Sequence, residues 1–118
     1  MEWDPYGPNC PTRLLLDRIG DRWTVLTVHH LELGPQRFSE LARRLDGISE
    51  KVLTQTLRGL ERDGLVTRTV EAAVPVKVTY ELTALGHTLY TVIHGLTDWA
   101  VSNVEQVLAA RSLYDTGV

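Results

Sequence analysis

The chain has 118 residues, a length typical of one domain, with 43% hydrophobic and 23% charged residues. This ordinary globular composition excludes disordered, collagen-like and coiled-coil proteins. No apolar run approaches the roughly 18 residues that cross a bilayer, and the first residues lack the apolar stretch of a signal peptide. Cys10 is the single cysteine, which excludes an internal disulfide and a four-cysteine zinc site. We therefore expect a cytoplasmic protein that does not contact a membrane.

The net charge of −3 hides an uneven distribution of charge. Residues 37–77 carry eight of the 12 Lys and Arg residues and six acidic residues, whereas both flanking segments are acidic. A basic segment inside an acidic chain is typical of a nucleic-acid contact surface. A solvated surface with paired charges would give the same count.

Glycine and proline divide the amino-terminal third into short helices. Residues 1–9 are predicted to form a flexible arm, and Pro11 is expected to open a helix that ends at Ile19. Asp21 is the expected cap of a second helix over residues 22–33. Because this second helix is apolar on more than one face, we expect it to be buried.

A helix-turn-helix is predicted over residues 39–63. Ser39 is the expected N-cap of its first helix, and Ser49 is the expected N-cap of its second. Between the two helices lies Asp46-Gly47, a turn sequence, and glycine is common in the turn of this motif.

A hairpin and a long helix complete the chain. Residues 65–82 contain two alternating apolar and polar runs, which predict two antiparallel strands. Thr83 is the expected cap of a helix over 83–112 with one apolar stripe, although Gly86 and Gly95 argue against one straight helix. The predicted fold is a single domain over the whole chain, mostly α with a small antiparallel β-hairpin (α+β). Its architecture is a winged helix-turn-helix with the hairpin as the wing.

The second helix of the motif has two chemically different faces. At 100° per residue, Leu53, Leu57 and Leu60 share one side. The opposite side carries residue types that contact base edges and phosphates in DNA: Lys51, Thr54, Gln55, Arg58 and Arg62. A surface helix with good helix formers on its exposed side would share this pattern. The short helix before it and the wing after it favour DNA binding, with this helix in the major groove.

Further polar side chains around this helix are candidates for contact with the phosphate backbone: Ser39, Arg43, Arg44, Arg68 and Lys77. For Arg68 the alternative is a salt bridge with Glu71 or Glu81. The loop at residues 72–75, which connects the two predicted strands, contains no Lys or Arg. We therefore expect a weaker contact between the wing and DNA than a cation at its tip would give.

Several segments match, in order and spacing, a pattern known from one family. They are CP at 10–11, DRIGDRW at 17–23, GPQRFSEL at 34–41, GISEKVLTQTLR at 47–58, LERDGLV at 60–66, VP at 74–75, Val78, Tyr80, LT at 82–83 and Gly86. The chain thereby resembles the HxlR-type winged helix-turn-helix transcription regulators, relatives of the MarR group. The resemblance implies a homodimeric DNA-binding regulator, often a repressor, that responds to a small molecule or a redox signal. It also implies a short third strand at 36–38. Gly59 departs from the pattern, since a larger helix former is common there.

The expected partners are double-stranded operator DNA and a second copy of the chain. A symmetric dimer reads a palindrome whose half-sites lie about 34 Å apart. Apolar residues of the early and last helices are the candidates for the dimer interface: Trp23, Leu89, Val92, Leu96 and Trp99. A pocket for a small-molecule effector near Trp23, Tyr90 and Trp99 is a further hypothesis, with plain core packing as the alternative.

Cys10 is a candidate redox sensor. It precedes the expected start of the first helix, and a helix N-terminus stabilises the reactive thiolate form of cysteine. An unreactive cysteine in the arm is the alternative.

The four histidines do not predict a metal site. His29 and His30 point in different directions on a helix, and His87 and His94 lie two turns apart. No carboxylate or thiol is expected at ligand spacing beside them, so we expect neither a metal nor a cofactor.

The sequence contains none of the features that would support an enzyme: a phosphate-binding glycine loop, a nucleophile motif or paired carboxylates on one face. The acidic net charge leaves one further hypothesis, a winged-helix adaptor that binds proteins and does not bind DNA.

Overall fold

A computed structural model describes residues 4, 7, 8 and 10–117. The predicted arm at residues 1–9 lies mostly outside the described residues. The elements in chain order are α1 (Pro11–Ile19), α2 (Arg22–Leu31), β1 (Gln36–Arg37), α3 (Phe38–Arg44), α4 (Glu50–Arg62), β2 (Val66–Glu71), β3 (Lys77–Leu82) and α5 (Ala84–Thr116). The strands form one antiparallel sheet in the order β1-β3-β2. This mostly helical architecture with a small sheet confirms the predicted fold class.

Three of the four predicted helix caps are confirmed. The side chain of Asp21 accepts a hydrogen bond from the backbone N–H of Thr24 at 3.1 Å. Ser49 Oγ accepts from the N–H of Val52 at 3.1 Å, which starts α4. These caps use donors that the first turn of a helix leaves without a backbone partner.

The expectation that Ser39 caps the first helix of the motif is wrong. The N-cap residue is Arg37, two residues earlier, and α3 begins at Phe38. The carboxylate of Glu40 accepts a hydrogen bond from the backbone N–H of Arg37 at 3.0 Å, so the cap comes from inside the first turn. Strand β1 therefore leads directly into α3 without a separate capping residue.

The turn between α3 and α4 depends on Gly47, whose φ of 86° lies in the left-handed region that favours glycine. The backbone N–H of Ile48 donates to the carbonyl of Leu45 across this turn at 3.1 Å. The predicted turn at Asp46-Gly47 therefore fixes the direction in which α4 leaves α3.

The sheet pairs β3 with both other strands. Residues 66–71 of β2 face residues 77–82 of β3, from Val66 opposite Leu82 to Glu71 opposite Lys77. On the other side of β3, Gln36 lies opposite Tyr80 and Arg37 opposite Thr79. The third strand implied by the family resemblance is thus present, but only over two residues.

The core lies between α2, α3, α4, the sheet and the first turns of α5. Its largest fully buried side chains are Leu31, Leu41, Leu45, Leu53, Leu57, Leu60, Ile93, Val28 and Thr27. Three of them are the leucines of one face of α4, so this helix is held to the core by its aliphatic side.

The last helix, α5, has 33 residues and is continuous across both of its early glycines. At 1.5 Å per residue it is about 50 Å long. It ends at Thr116, whereas the sequence pattern predicted an end at residue 112. Its buried residues, Gly86, Leu89 and Ile93, all lie in the first third, so the rest of the helix extends beyond the core. The longest extent of the molecule is 61 Å.

The start of α5 is bonded to the residues that open β2. Thr83 Oγ1 accepts from the N–H of Gly86 at 3.0 Å and donates to the carbonyl of Gly64 at 2.7 Å. The backbone N–H of Thr83 also donates to the carbonyl of Leu65 at 3.0 Å. The third predicted cap is therefore confirmed, and it joins α5 to the base of the wing.

Candidate nucleic-acid interface

The two faces of α4 have opposite environments. Leu53, Leu57 and Leu60 are buried in the core. On the other side Lys51, Gln55, Arg58 and Arg62 are exposed, and Thr54 beside them is half-buried. The five side chains that the sequence selected on this helix therefore share one accessible face. This arrangement can present a cationic, hydrogen-bonding surface to a polyanion.

The remaining candidates surround this face on α3 and the wing. Ser39, Arg43 and Arg44 are exposed on α3, Arg68 is exposed on β2, and Lys77 is half-buried at the start of β3. The structure brings Ser39 and Lys77 together in a groove of about 400 Å³ between the start of α3 and the wing. Arg37 lines the same groove. Sequence reasoning did not select Arg37, although its position next to the predicted helix-turn-helix was a usable signal.

The partner of Arg68 is neither of the two expected glutamates. Arg68 Nε lies 3.7 Å from Glu61 Oε1, so the ion pair joins β2 to α4. The expectation of Glu71 or Glu81 considered only the hairpin, where neighbouring residues lie close in sequence. Helical periodicity could have indicated Glu61 as a partner, because Glu61 and Thr54 lie side by side when α4 is viewed along its axis.

A small cavity separates α4 from the wing at this ion pair. It has a volume of about 170 Å³ and is lined by Thr54, Arg58, Glu61, Arg68 and Tyr80. Burial raises the pKa of the Tyr80 hydroxyl above its ordinary value, because a phenolate would lose its hydration there. The hydroxyl is therefore protonated at neutral pH and able to donate a hydrogen bond.

Trp23 lies beside α4, where it lines a groove of about 220 Å³ together with Gln55 and Arg18. The guanidinium of Arg22 lies 4.6 Å above the centre of the Trp23 ring, a cation–π arrangement. Trp23 and Trp99 are both predicted from the sequence to lie at the dimer interface. The structure gives the two tryptophans different surroundings, since Trp23 packs against the core and Trp99 is exposed.

The other interface candidates lie on α5. Leu89 is buried within the described chain, whereas three others are between 57% and 62% exposed: Val92, Leu96 and Trp99. The third aromatic residue of the effector hypothesis, Tyr90, is half-buried and stacks on His29 with the ring centres 6.4 Å apart. Tyr90, Trp23 and Trp99 therefore have three different environments.

Gly59, the departure from the family pattern, is explained by α1. The guanidinium of Arg18 lies over Gly59, and a Cβ at that position would come within 2.7 Å of Arg18 Cζ. Arg18 also forms an ion pair with Asp63, which follows the last residue of α4. A glycine in α4 thus leaves room for a side chain of α1.

Cys10 is the N-cap residue of α1, as its place before Pro11 predicted. Its side chain makes no capping hydrogen bond, and the residue is half-buried.

Two of the four histidines have acidic neighbours that the sequence analysis did not predict. His87 Nδ1 lies 2.8 Å from Glu32 Oε2, and His94 Nδ1 lies 3.2 Å from Asp98 Oδ2. The expectation that no carboxylate lies beside them is wrong, because α5 packs next to the end of α2 and Asp98 is one turn beyond His94. Over residues 4, 7, 8 and 10–117, no group of three or more His, Cys, Asp or Glu side chains is placed to hold a metal ion. No helix within these residues has the length and apolarity needed to cross a membrane.

Comparisons with known proteins agree on one family. A family model described as HxlR-like helix-turn-helix matches residues 18–108. The HTH-type transcriptional regulator YtfH of Escherichia coli (strain K12) is 40% identical over 110 residues, which cover 93% of this chain and 87% of that protein. The solved structure of the transcriptional regulator ytfH from Salmonella typhimurium matches with a TM-score of 0.89 and 40% identity, over 94% of this chain and 99% of the other. The redox regulator HypR in its reduced form matches with a TM-score of 0.77 and 37% identity, over 84% of this chain and 98% of the other.

Proposed function

Since the chain belongs to the HxlR-like helix-turn-helix family of transcription regulators, we propose that it is a homodimeric repressor. In this proposal it binds a palindromic operator in the cytoplasm and responds to a small-molecule or redox signal. The observation that carries the proposal is the exposed polar and cationic face of α4 opposite its buried leucines, with the wing beside it.

In this proposal α4 enters the major groove. Lys51, Gln55 and Arg58 contact base edges, and Thr54 and Arg62 contact bases or backbone. Phosphate contacts come from the residues that surround α4: Ser39, Arg43, Arg44, Arg68 and Lys77. The support is their common accessibility around one helix, since a polyanion needs cations that solvent can reach.

The exposed apolar side of α5 supports the dimer. Val92, Leu96 and Trp99 leave a large apolar stripe uncovered in a single copy of the chain. Exposed apolar patches of this kind mark association surfaces, and a second α5 offers the same stripe around a two-fold axis. Two copies of α4 would then contact half-sites about 34 Å apart.

The redox alternative for the signal rests on Cys10. Cys10 is the half-buried N-cap residue of α1, and the structural relative HypR is described as a redox regulator. The test is a Cys10→Ser variant in an operator-binding assay with and without a thiol oxidant. We expect the variant to lose the response to oxidant. A full response in the variant would leave the small-molecule signal as the alternative.

The DNA-binding part is tested by selecting genomic fragments that the protein retains and by titrating salt against the recovered duplex. We expect one enriched palindromic sequence. Its affinity should fall with salt by a logarithmic slope of about −0.9 for each phosphate neutralised. Failure to bind any duplex at low salt would favour a protein-binding adaptor, the function that the acidic net charge left open.

A further inference from the structure

The cavity between α4 and the wing contains unlike charges at close range. Arg58 enters it from α4 and Arg68 enters it from β2, while Glu61 Oε1 lies 3.7 Å from Arg68 Nε. The phenol ring of Tyr80, which is only 9% exposed, forms part of the wall. The cavity has a net positive charge, because it is lined by two cationic side chains and one anionic side chain, with one neutral hydroxyl. Its lining includes Thr54 and Arg58, two side chains of α4 that are proposed to contact DNA.

We propose that this cavity binds one DNA phosphate and that Glu61 competes with the phosphate for Arg68. In the protein without DNA the carboxylate of Glu61 pairs with Arg68. When a duplex binds, a phosphate takes the place of that carboxylate beside Arg68, and Arg58 adds positive charge to the lining of the cavity. This inference rests on the proposed DNA-binding function and adds to it a residue, Glu61, that lowers affinity for DNA.

The chemistry of the two anions supports the exchange. Carboxylate and phosphate oxygens both accept charge-assisted hydrogen bonds from a guanidinium, so they can occupy the same place on Arg68. Tyr80 lines the cavity, and its hydroxyl, whose pKa burial raises further above neutral pH, is protonated and can donate to a phosphate there.

The exposure of the ion pair makes the exchange feasible. The Arg68 and Glu61 side chains are 46% and 42% exposed. Solvent-exposed ion pairs add little to folding stability, so stability alone does not account for an acidic residue on this face. Arg68 can therefore leave Glu61 without unfolding the wing.

Because phosphates carry no sequence information, the competition acts on every duplex alike. Glu61 weakens binding to operator and to random DNA by similar factors. A regulator that must leave non-specific sites quickly gains from a lower affinity at each of them.

The test compares Glu61→Gln with a control variant of equal charge, Glu81→Gln. Glu81 is exposed and adjoins Tyr80 on β3, but the alternation of a strand places its side chain on the opposite face of the sheet. The probe is a random-sequence duplex of about two helical turns, with affinity measured by fluorescence anisotropy at about 0.1 M salt. We expect Glu61→Gln to raise affinity about three- to tenfold, as the loss of one nearby charge allows, and Glu81→Gln to raise it less than about twofold because its charge is more distant and screened.

The same two substitutions in an Arg68→Met background separate competition from simple repulsion. If Glu61 acts through Arg68, Glu61→Gln in that background has no larger effect than Glu81→Gln. Arg68→Met alone makes the logarithmic salt slope shallower by about 0.9, because one phosphate contact is lost.

Three outcomes would overturn the inference alone while the unmodified protein still binds DNA: equal effects of the two glutamate substitutions, a Glu61→Gln effect that persists without Arg68, or a salt slope that Arg68→Met leaves unchanged. Absence of any duplex binding by the unmodified protein would overturn the proposed function and this inference together.

Discussion

Arg18 of α1 pairs with Asp63 at the end of α4 and covers Gly59, one turn earlier on the same helix. A single side chain of the first helix thus contacts α4 at two positions. Glycine in the middle of a helix costs about 0.5–1 kcal/mol relative to alanine. At position 59 the helix bears that cost because a larger residue would collide with the Arg18 side chain.

Gly59→Ala is expected to change stability little, because the gain in helix propensity is offset by displacement of Arg18. In an Arg18→Met background the same substitution is expected to stabilise by about 0.5–1 kcal/mol, since the flexible methionine can move away. Urea unfolding of the unmodified protein, the two single variants and the double variant at one protein concentration measures the difference. Equal effects of Gly59→Ala in both backgrounds would show that Arg18 does not need the space.

Gly86→Ala is expected to destabilise the protein by roughly 1–3 kcal/mol, although alanine is the better helix former. A Cβ at position 86 would collide with the backbone carbonyl of Leu65 and lie 3.2 Å from its carbonyl carbon. Backbone atoms cannot move aside as a side chain can. The matched control is Gly95→Ala on the same helix, where a Cβ meets nothing within 4 Å in one copy of the chain. Because Gly95 lies beside Trp99 on the stripe proposed for the dimer, both substitutions are compared in a Trp99→Ala background, which is expected to be monomeric. Gly95→Ala should stabilise by about 0.5–1 kcal/mol, and thermal unfolding that ranks the two substitutions the other way would contradict the close approach at Gly86.

Gln55→Ala is expected to reduce discrimination at one base pair of the recovered operator by about 1–3 kcal/mol, because a glutamine amide can pair with an adenine edge. Arg44→Ala provides the comparison. Because Arg44 is proposed to contact a phosphate, its loss is expected to weaken binding to all sequences alike. Affinities for the operator and its single-base variants measure both effects. An equal loss on every sequence for Gln55→Ala would refute its role in recognising a base.

Trp99→Ala is expected to dissociate the proposed dimer, with a loss on the order of 3–5 kcal/mol if the indole is buried between two copies. Val101→Ala is the control, since Val101 is 72% exposed and lies on the other side of α5 from Trp99. Sedimentation velocity at micromolar concentration should find the Trp99 variant as a monomer and the Val101 variant as a dimer. A dimer that survives in both variants would place the contact elsewhere.

Local signals in the sequence were sufficient for the starts of α2, α4 and α5 and for the two faces of α4. Asp21, Ser49 and Thr83 cap through hydrogen bonds within three residues, and such bonds depend on the local sequence. The amphipathic pattern of α4 likewise places its leucines in the core because burial follows helical periodicity.

Contacts between elements distant in sequence were not predictable in the same way. The partner of Arg68 lies on α4, and the partner of His87 lies at the end of α2, 55 residues away. The error at Ser39 had a different cause, since two polar residues near one helix start compete and the carboxylate of Glu40 takes the capping role. The two-residue strand β1 is too short to show any alternation and was expected only through the family resemblance.

The attachment of α5 has a mechanical consequence. Thr83 bonds the first turn of this helix to Gly64 and Leu65, and Gly86 lets the same turn lie directly against the backbone. The junction therefore contains no flexible linker. If two copies join along α5, this rigid attachment sets the distance between their wings. A rotation of one copy against the other would then move the two wings and the proposed DNA-contacting helices by the same angle.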